Sequence, residues 1–441
     1  MTGSHEPPGY RQILVFWLPL LGTWLMMSVE GPMLSALISR MADPKFNLAA
    51  YGVAFALALL AEAPIMMLTS AATRLAADYP AYLKLARFAR ALNLMVTGVI
   101  LLTVYPPFFN WFARSLMGLS EPVAELTYKA CLLLLPWPGA IGYRRFYQGI
   151  LIRYNRTRLV AYGTVVRLLT MSATALTLFY LDAVPGVIMG TAALSLGVLG
   201  EATATRLMAI PVIRALRNNP EPPGEALTYP ELSRFYLPLA LSPFIALGTN
   251  PIITFFLGKS QFSLESLAVF PVINSLVFFF RSPALSYQEV VIAHMGDGGE
   301  TFRRLRNFAL TMGAAVTLLM SLVAFTVLFD FYFRDFTELS ETLSHLALLP
   351  TRVMVILPAL SVLLAFQRAV LISARISRPI TLATVLELFG ICAVLYLGII
   401  EMNLVGITAV ALALVLGRLA ANVYLTPPLL TALKTIRKPA A

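Results

Sequence analysis

The sequence predicts an all-α polytopic membrane protein, with 12 transmembrane helices in two six-helix bundles related by a pseudo-two-fold axis along the membrane normal. Three observations predict it. Of 441 residues, 59% are hydrophobic and only 12% are charged, whereas roughly a quarter of a soluble domain is charged. The apolar residues gather into runs of about 20 or more, the length that crosses a hydrocarbon core roughly 30 Å thick. The second half of the chain also repeats features of the first. The runs are too long and unbroken for the alternating strands of an outer-membrane barrel.

In order, the runs fall near residues 13–38, 48–72, 86–109, 123–147, 158–181, 185–213, 232–257, 264–293, 305–329, 341–368, 379–400 and 403–430. Prolines stand inside many of them, among them Pro19, Pro32, Pro64, Pro138, Pro251, Pro283 and Pro358. Membrane helices tolerate such breaks because neighbouring groups satisfy the freed backbone. Cys131 and Cys392 lie in separate halves and read as apolar fillers rather than a disulfide. The N-terminus lacks the pattern of a cleaved signal, so the first run reads as a span.

The loop charges orient the chain. One set of helix ends carries Arg11; Arg74, Lys84, Arg87 and Arg90; Arg153, Arg156 and Arg158; Arg214, Arg217 and Arg234; Arg303, Arg304 and Arg306; Arg368, Arg375 and Arg378; and Lys434, Arg437 and Lys438. The opposite ends carry only Arg40, Lys45, Arg114, Lys129, Lys259 and Arg334. Basic residues stay cytoplasmic, so both termini are expected in the cytoplasm of a multi-pass inner (plasma) membrane protein, with an even number of spans. The formal net charge of +11 then reflects topology, and no nucleic-acid partner is expected. The proline-rich stretch around Pro220, Pro222 and Pro223 divides the chain into an N-terminal bundle (1–213), a cytoplasmic linker (214–231) and a C-terminal bundle (232–441).

A shift of 219 residues lays the start of one half on the other. Trp17-Leu18-Pro19-Leu20 meets Tyr236-Leu237-Pro238-Leu239, Glu30-Gly31-Pro32 meets Thr249-Asn250-Pro251, and Pro64 meets Pro283. A shift of 220 lays Thr164-Val165 on Thr384-Val385, and one of 217 lays Gly200 on Gly417. Parallel repeats of this kind place a substrate site between halves that rock about it.

Charges inside the spans are Glu30, Glu62, Arg167, Glu201, Arg206, Arg281, Glu387 and Arg418. Each costs at least about 2.5 kcal/mol near the bilayer centre, and so faces a partner or a wet cavity. The repeat reverses sign at three positions: Glu62 against Arg281, Arg167 against Glu387, and Glu201 against Arg418. Such groups are expected to pair across a central cleft, with Glu62–Arg281 and Arg167–Glu387 as gating pairs. They either hold the halves together, or line the cavity and exchange partners during transport. Glu62, Arg281, Glu201, Arg418, Arg145, Gln148 and Asn250 are the substrate-cavity candidates. Glu30 meets no charged residue in the repeat and is the candidate for the coupling ion. Most of the basic, aromatic stretch Tyr143–Gln148 reads as a cytoplasmic helix end.

No GxxxxGK[ST] or HExxH motif is present, so neither an ATPase engine nor a zinc protease is indicated. No enzyme, cofactor or metal is expected. Twelve helices in two halves, with Glu and Pro in the first two, resemble the multidrug/oligosaccharidyl-lipid/polysaccharide flippase (MOP) superfamily, which includes the multidrug and toxic compound extrusion (MATE) transporters. Within it, Leu48-Ala49-Ala50-Tyr51-Gly52-Val53-Ala54-Phe55, Ala63-Pro64, Gly200-Glu201-Ala202-Thr203 and the stretch from Thr384 to Gly398 are similar to the progressive ankylosis (ANK) family. Glu30 stands where the drug transporters carry Asp. The resemblance implies a V-shaped pair of bundles with alternating access. ANK-type proteins export organic anions such as citrate and nucleotide-type phosphates, and MATE-type proteins exchange cationic drugs for H+ or Na+. The leading expectation is a monomeric exporter of a small organic anion (carboxylate or phosphate type). A multidrug cation exporter, a lipid-precursor flippase and, last, an intramembrane enzyme stand behind it.

Overall fold

A computed structural model describes residues 8–116, 119, 121–218, 227–295, 299–337 and 339–436. Residues 219–226, in the expected linker, and Arg437 and Lys438, counted among the basic ends, lie outside the described residues. The first half runs α1 (Tyr10–Ile38), α2 (Pro44–Glu62), α3 (Leu68–Leu75), α4 (Tyr79–Thr103), α5 (Pro106–Asn110), α6 (Glu121–Leu133), α7 (Pro136–Arg153), α8 (Thr157–Leu181) and α9 (Gly186–Asn218). The second runs α10 (Tyr229–Leu257), α11 (Ser263–His294), α12 (Gly299–Phe325), α13 (Leu328–Asp330), α14 (Glu341–Val353), α15 (Leu357–Ser373), α16 (Arg378–Leu395) and α17 (Gly406–Ile436). The helix α9 continues through Asn218, so Arg214 and Arg217 belong to a helix end and not to the connector.

Local sequence explains the breaks. Asp78 caps α4 by accepting a hydrogen bond from the Ala81 amide at 2.7 Å, which satisfies one of the unpaired amides of a helix start. Pro64 sits in a 3-10 turn, Ala63–Ile65, that separates α2 from α3 within one span. Among the described residues, eleven segments are long and apolar enough to cross a membrane. The twelfth span is α6 with α7. A turn at Leu134 and Leu135 breaks it, and Arg144, Arg145 and Gln148 lower its mean hydropathy. Its counterpart in the repeat, α14 with α15, runs as one apolar span, Glu341–Ser373. The side chains of Leu94, Leu169 and Phe389 are about two-thirds or more exposed, which suits helices solvated by lipid.

The chain divides into two compact units, and the divisions fall inside α1 and α10. Gly22–Tyr236 forms one, called the N-unit below; Leu237–Ala441 with Met1–Leu21 forms the other, the C-unit. Aromatic anchors account for this. In the C-unit, Trp17 donates to Ser286 Oγ at 2.8 Å and packs edge-on against Phe308. In the N-unit, the Tyr236 hydroxyl donates to the Pro64 carbonyl at 2.6 Å and its ring packs edge-on against Phe88. Trp17 and Tyr236 are repeat partners, as are Phe88 and Phe308.

Packing also fixes the register of the repeat. The second amide of α9, on Val187, donates to Asn47 Oδ1 at 2.9 Å, and its counterpart on Ile407 donates to Ser266 Oγ at 3.3 Å. A Cβ on Gly197 would lie 3.2 Å from the Arg167 carbonyl, and one on Gly417 would lie 2.9 Å from the Glu387 carbonyl. These contacts set α8–α9 on α16–α17 with a shift of 220, so Gly197, and not Gly200, corresponds to Gly417. Glu201 and Arg418 then stand about one helical turn apart in the repeat.

Candidate functional site

Each unit holds a cluster of ionised side chains. In the N-unit, Glu201 on α9 is fully buried. It accepts hydrogen bonds from Arg144 Nη1 at 2.6 Å, Gln148 Nε2 at 3.1 Å and Thr164 Oγ1 at 3.1 Å. Arg144 and Gln148 are four residues apart and share one face of α7. Arg167 on α8 lies 3.7 Å from Glu201 and donates to Glu30 on α1. The next residue of α7, Arg145, turns to Glu62 at 3.1 Å. Three acids therefore meet three arginines. Taking such charges out of water is offset only when the geometry is close and the remaining polar sites are bonded.

The C-unit reuses the framework with a different charge balance. Arg418 on α17 donates to Glu387 on α16 at 2.7 Å, and to Ser361 on α15 at 3.2 Å. Arg281 on α11 donates to the same Ser361 hydroxyl at 3.0 Å, and Arg368 on α15 donates to Thr384 at 2.8 Å. Among the described residues neither Arg281 nor Arg368 reaches a carboxylate within ion-pair distance. Three arginines and one acid border a cavity of about 350 Å³, reached also by Asn250 of α10 and Asn274 of α11.

The repeat shows how the difference arises. At the 219 and 220 shifts, Glu62 becomes Arg281 and its partner Arg145 becomes Ala365; Arg144 becomes Leu364, and Gln148 becomes Arg368. Two positions that fill the N-unit with guanidinium groups thus hold neutral side chains in the C-unit, and both line its cavity. The contact between α8 and α9, Arg167 with Glu201, reappears between α16 and α17 as Glu387 with Arg418.

Within the N-unit, Glu62 is bound to Arg145, Arg167 to Glu30 and Glu201, and Glu201 to Arg144; within the C-unit, Glu387 is bound to Arg418. Glu30 is not an unpaired acid. Of the substrate-cavity candidates, Asn250, Arg281 and Arg418 line the C-unit cavity together with Glu387, whereas Glu62, Arg145 and Glu201 are engaged in the N-unit ion pairs and Gln148 hydrogen-bonds to Glu201. Arg368 was counted with the loop charges and Arg144 with a helix end, yet both belong to the clusters. The 220 shift extended from Thr164 back to Gln148 is the signal that leads to Arg368. Both cysteines are free. Among the described residues no three His, Cys, Asp or Glu side chains are grouped to hold a metal.

No family model matches the chain, and no curated protein matches its sequence. Solved structures do. A mutant of the Vibrio cholerae MATE transporter VcmN is 17% identical over 96% of this chain and 97% of its own, with a TM-score of 0.77. The chain has the MATE-type fold. An outward-facing multidrug resistance MATE family transporter of the MOP superfamily is 16% identical over 97% of both chains, at a TM-score of 0.76. A MOP superfamily transporter from Pyrococcus furiosus, described as having a binding pocket of reversed polarity that suggests a different function, is 14% identical over 97% of both chains, at 0.75. At these identities the likeness is one of fold: helical, multi-pass, with 12 transmembrane helices in two bundles. The MATE-type neighbours are transporters, not enzymes.

Proposed function

We propose that the protein is a secondary transporter that exports a compact organic anion of carboxylate or phosphate type, bound in the C-unit cavity by Arg281, Arg368 and Arg418. The observation that carries this reading is the excess of guanidinium over carboxylate around that cavity. Glu387 neutralises one arginine; among the described residues the two others donate to the hydroxyls of Ser361 and Thr384, which a bound carboxylate or phosphate would supplement through bidentate hydrogen bonds. Ser361, Thr384, Asn250 and Asn274 would orient the remaining oxygens. A cavity of about 350 Å³ is at the small end of small-molecule sites and suits a citrate-sized anion better than a nucleotide. The reversed pocket polarity described for the Pyrococcus furiosus neighbour supports a departure from cation export on this fold, and agrees with the ANK resemblance.

The runner-up, exchange of cationic drugs for H+ or Na+, follows the multidrug MATE neighbour. It would use Glu30, Glu62 or Glu201, and each of these acids is engaged by an arginine. A coupling ion reaching Glu30 has to open its bond to Arg167. The proposal includes a monomer in the inner membrane with both termini cytoplasmic.

Proteoliposomes loaded with radiolabelled citrate test this. Release above protein-free vesicles, competed by unlabelled di- and tricarboxylates and abolished by Arg281→Ala, is the expected result. Proton-driven ethidium movement with no citrate release would replace it with the multidrug reading.

A further inference from the structure

Arg206 on α9 takes no part in either ion-pair cluster. It borders a second cavity, of about 310 Å³, in the N-unit between α4, α7 and α9, lined also by Arg90, Asn93, Tyr143 and Tyr147. The Arg206 guanidinium lies over the Tyr147 ring, 4.9 Å from its centroid. That contact fixes the cation without using its N–H groups, and Nη1 is buried with no hydrogen-bond partner. No acid is among the lining residues. A guanidinium with a buried, unused donor is stabilised by an acceptor that completes it, and a cationic site with no acid in its lining favours an anion.

Depth and helical face identify which anion. From Gly186, where α9 begins, to Arg206 the helix rises about 30 Å at 1.5 Å per residue, the thickness of the hydrocarbon core. Arg206 therefore stands at the interface on the side of Arg214 and Arg217. One turn deeper than Arg90 on the same face of α4, Leu94 is 73% exposed; two turns deeper than Arg206 on the same face of α9, Leu199 is 37% exposed. Cations at the headgroup level with open leucines beneath them fit a molecule with an anionic head and an apolar tail. We propose that the groove between α4 and α9 is a binding site for an anionic phospholipid, with the phosphate held by Arg206 and Arg90 and an acyl chain lying along Leu94 and Leu199. Basic pockets between transmembrane helices bind phospholipid heads in this way.

The full-length protein in neutral detergent, titrated with short-chain phosphatidylglycerol, phosphatidylcholine or inorganic phosphate while its thermal melting is followed, tests the site. Phosphatidylglycerol is expected to raise the melting temperature and phosphatidylcholine is not. Arg206→Gln is expected to move the phosphatidylglycerol midpoint to about five-fold higher concentration, the factor that one interfacial arginine supplies. Arg206→Lys should keep most of the effect. Equal responses to the two lipids, or an unchanged midpoint in Arg206→Gln, overturn the site. Inorganic phosphate reproducing the stabilisation would overturn the lipid assignment in favour of a soluble phosphate. Should Arg206→Gln fail to fold, the exposed Arg90→Gln decides, and an unmoved midpoint there rejects the proposal.

Discussion

The two units carry nearly the same helical frame and use it for opposite ends. In the N-unit, Glu30, Glu62 and Glu201 are matched by Arg144, Arg145 and Arg167. In the C-unit, Glu387 stands against Arg281, Arg368 and Arg418, beside open volume. In the repeat, Glu30 to Thr249, Glu62 to Arg281 and Gln148 to Arg368 raise the charge of the C-unit, while Arg144 to Leu364 and Arg145 to Ala365 put smaller neutral side chains beside its cavity. The same frame thus carries self-paired charges in one copy and a net positive set beside a cavity in the other, through changes spread over several helices.

The sharpest break of this comparison is in the N-unit. Arg144→Met leaves Glu201 buried without its closest cation and should cost about 3–5 kcal/mol, read as a fall in melting temperature and in folded yield. Adding Glu201→Gln to it should recover much of the loss, because removing both charges is far less costly than stranding one. In the C-unit the balance of effects should invert. Arg281→Ala or Arg368→Ala should weaken anion transport by about 30-fold or more, from the ~2 kcal/mol or more that a charged contact to ligand contributes, with little change in melting. Equal destabilisation by the two kinds of variant would erase the distinction.

A smaller effect follows from restoring an N-unit-like pair. Ala365→Glu supplies Arg281 with a carboxylate at the position Arg145 holds opposite Glu62, and should raise the half-saturating citrate concentration about ten-fold while leaving the fold intact. The smallest contrast lies in helix packing. A Cβ at Gly417 would sit 2.7 Å from Ile391 Cγ1 and 2.9 Å from the Glu387 carbonyl, whereas at Gly197 the contacts to Met171 Cβ and the Arg167 carbonyl are 3.0 and 3.2 Å. Gly417→Ala should therefore cost about 1–3 kcal/mol and Gly197→Ala less, as ranked by thermal melting.

The helical class and the positions of most spans were legible because an apolar run long enough to cross lipid is a property of the chain's own order. The run at 123–147 is among them, although the role of its polar residues was not legible. The span made of α6 and α7 loses its apolar character to Arg144, Arg145 and Gln148, and these polar residues are the ones that build the N-unit cluster. Many interior charges were also legible, though Arg144, Arg145 and Arg368 were not among them, and two of the three sign reversals keep their place in the structural register. The third, Glu201 with Arg418, came from a match three residues out, since apolar helices offer many near-equivalent alignments.

Sequence alone determined the all-helical, lipid-solvated class, the duplication and the presence of costly charges in the spans, because length, composition and spacing are counted along one dimension. Only the tertiary structure decided which charge meets which. Successive residues on a helix point about 100° apart, so Arg144 and its neighbour Arg145 serve different acids, Glu201 and Glu62. Which acid each one reaches depends on the helix packed beside it.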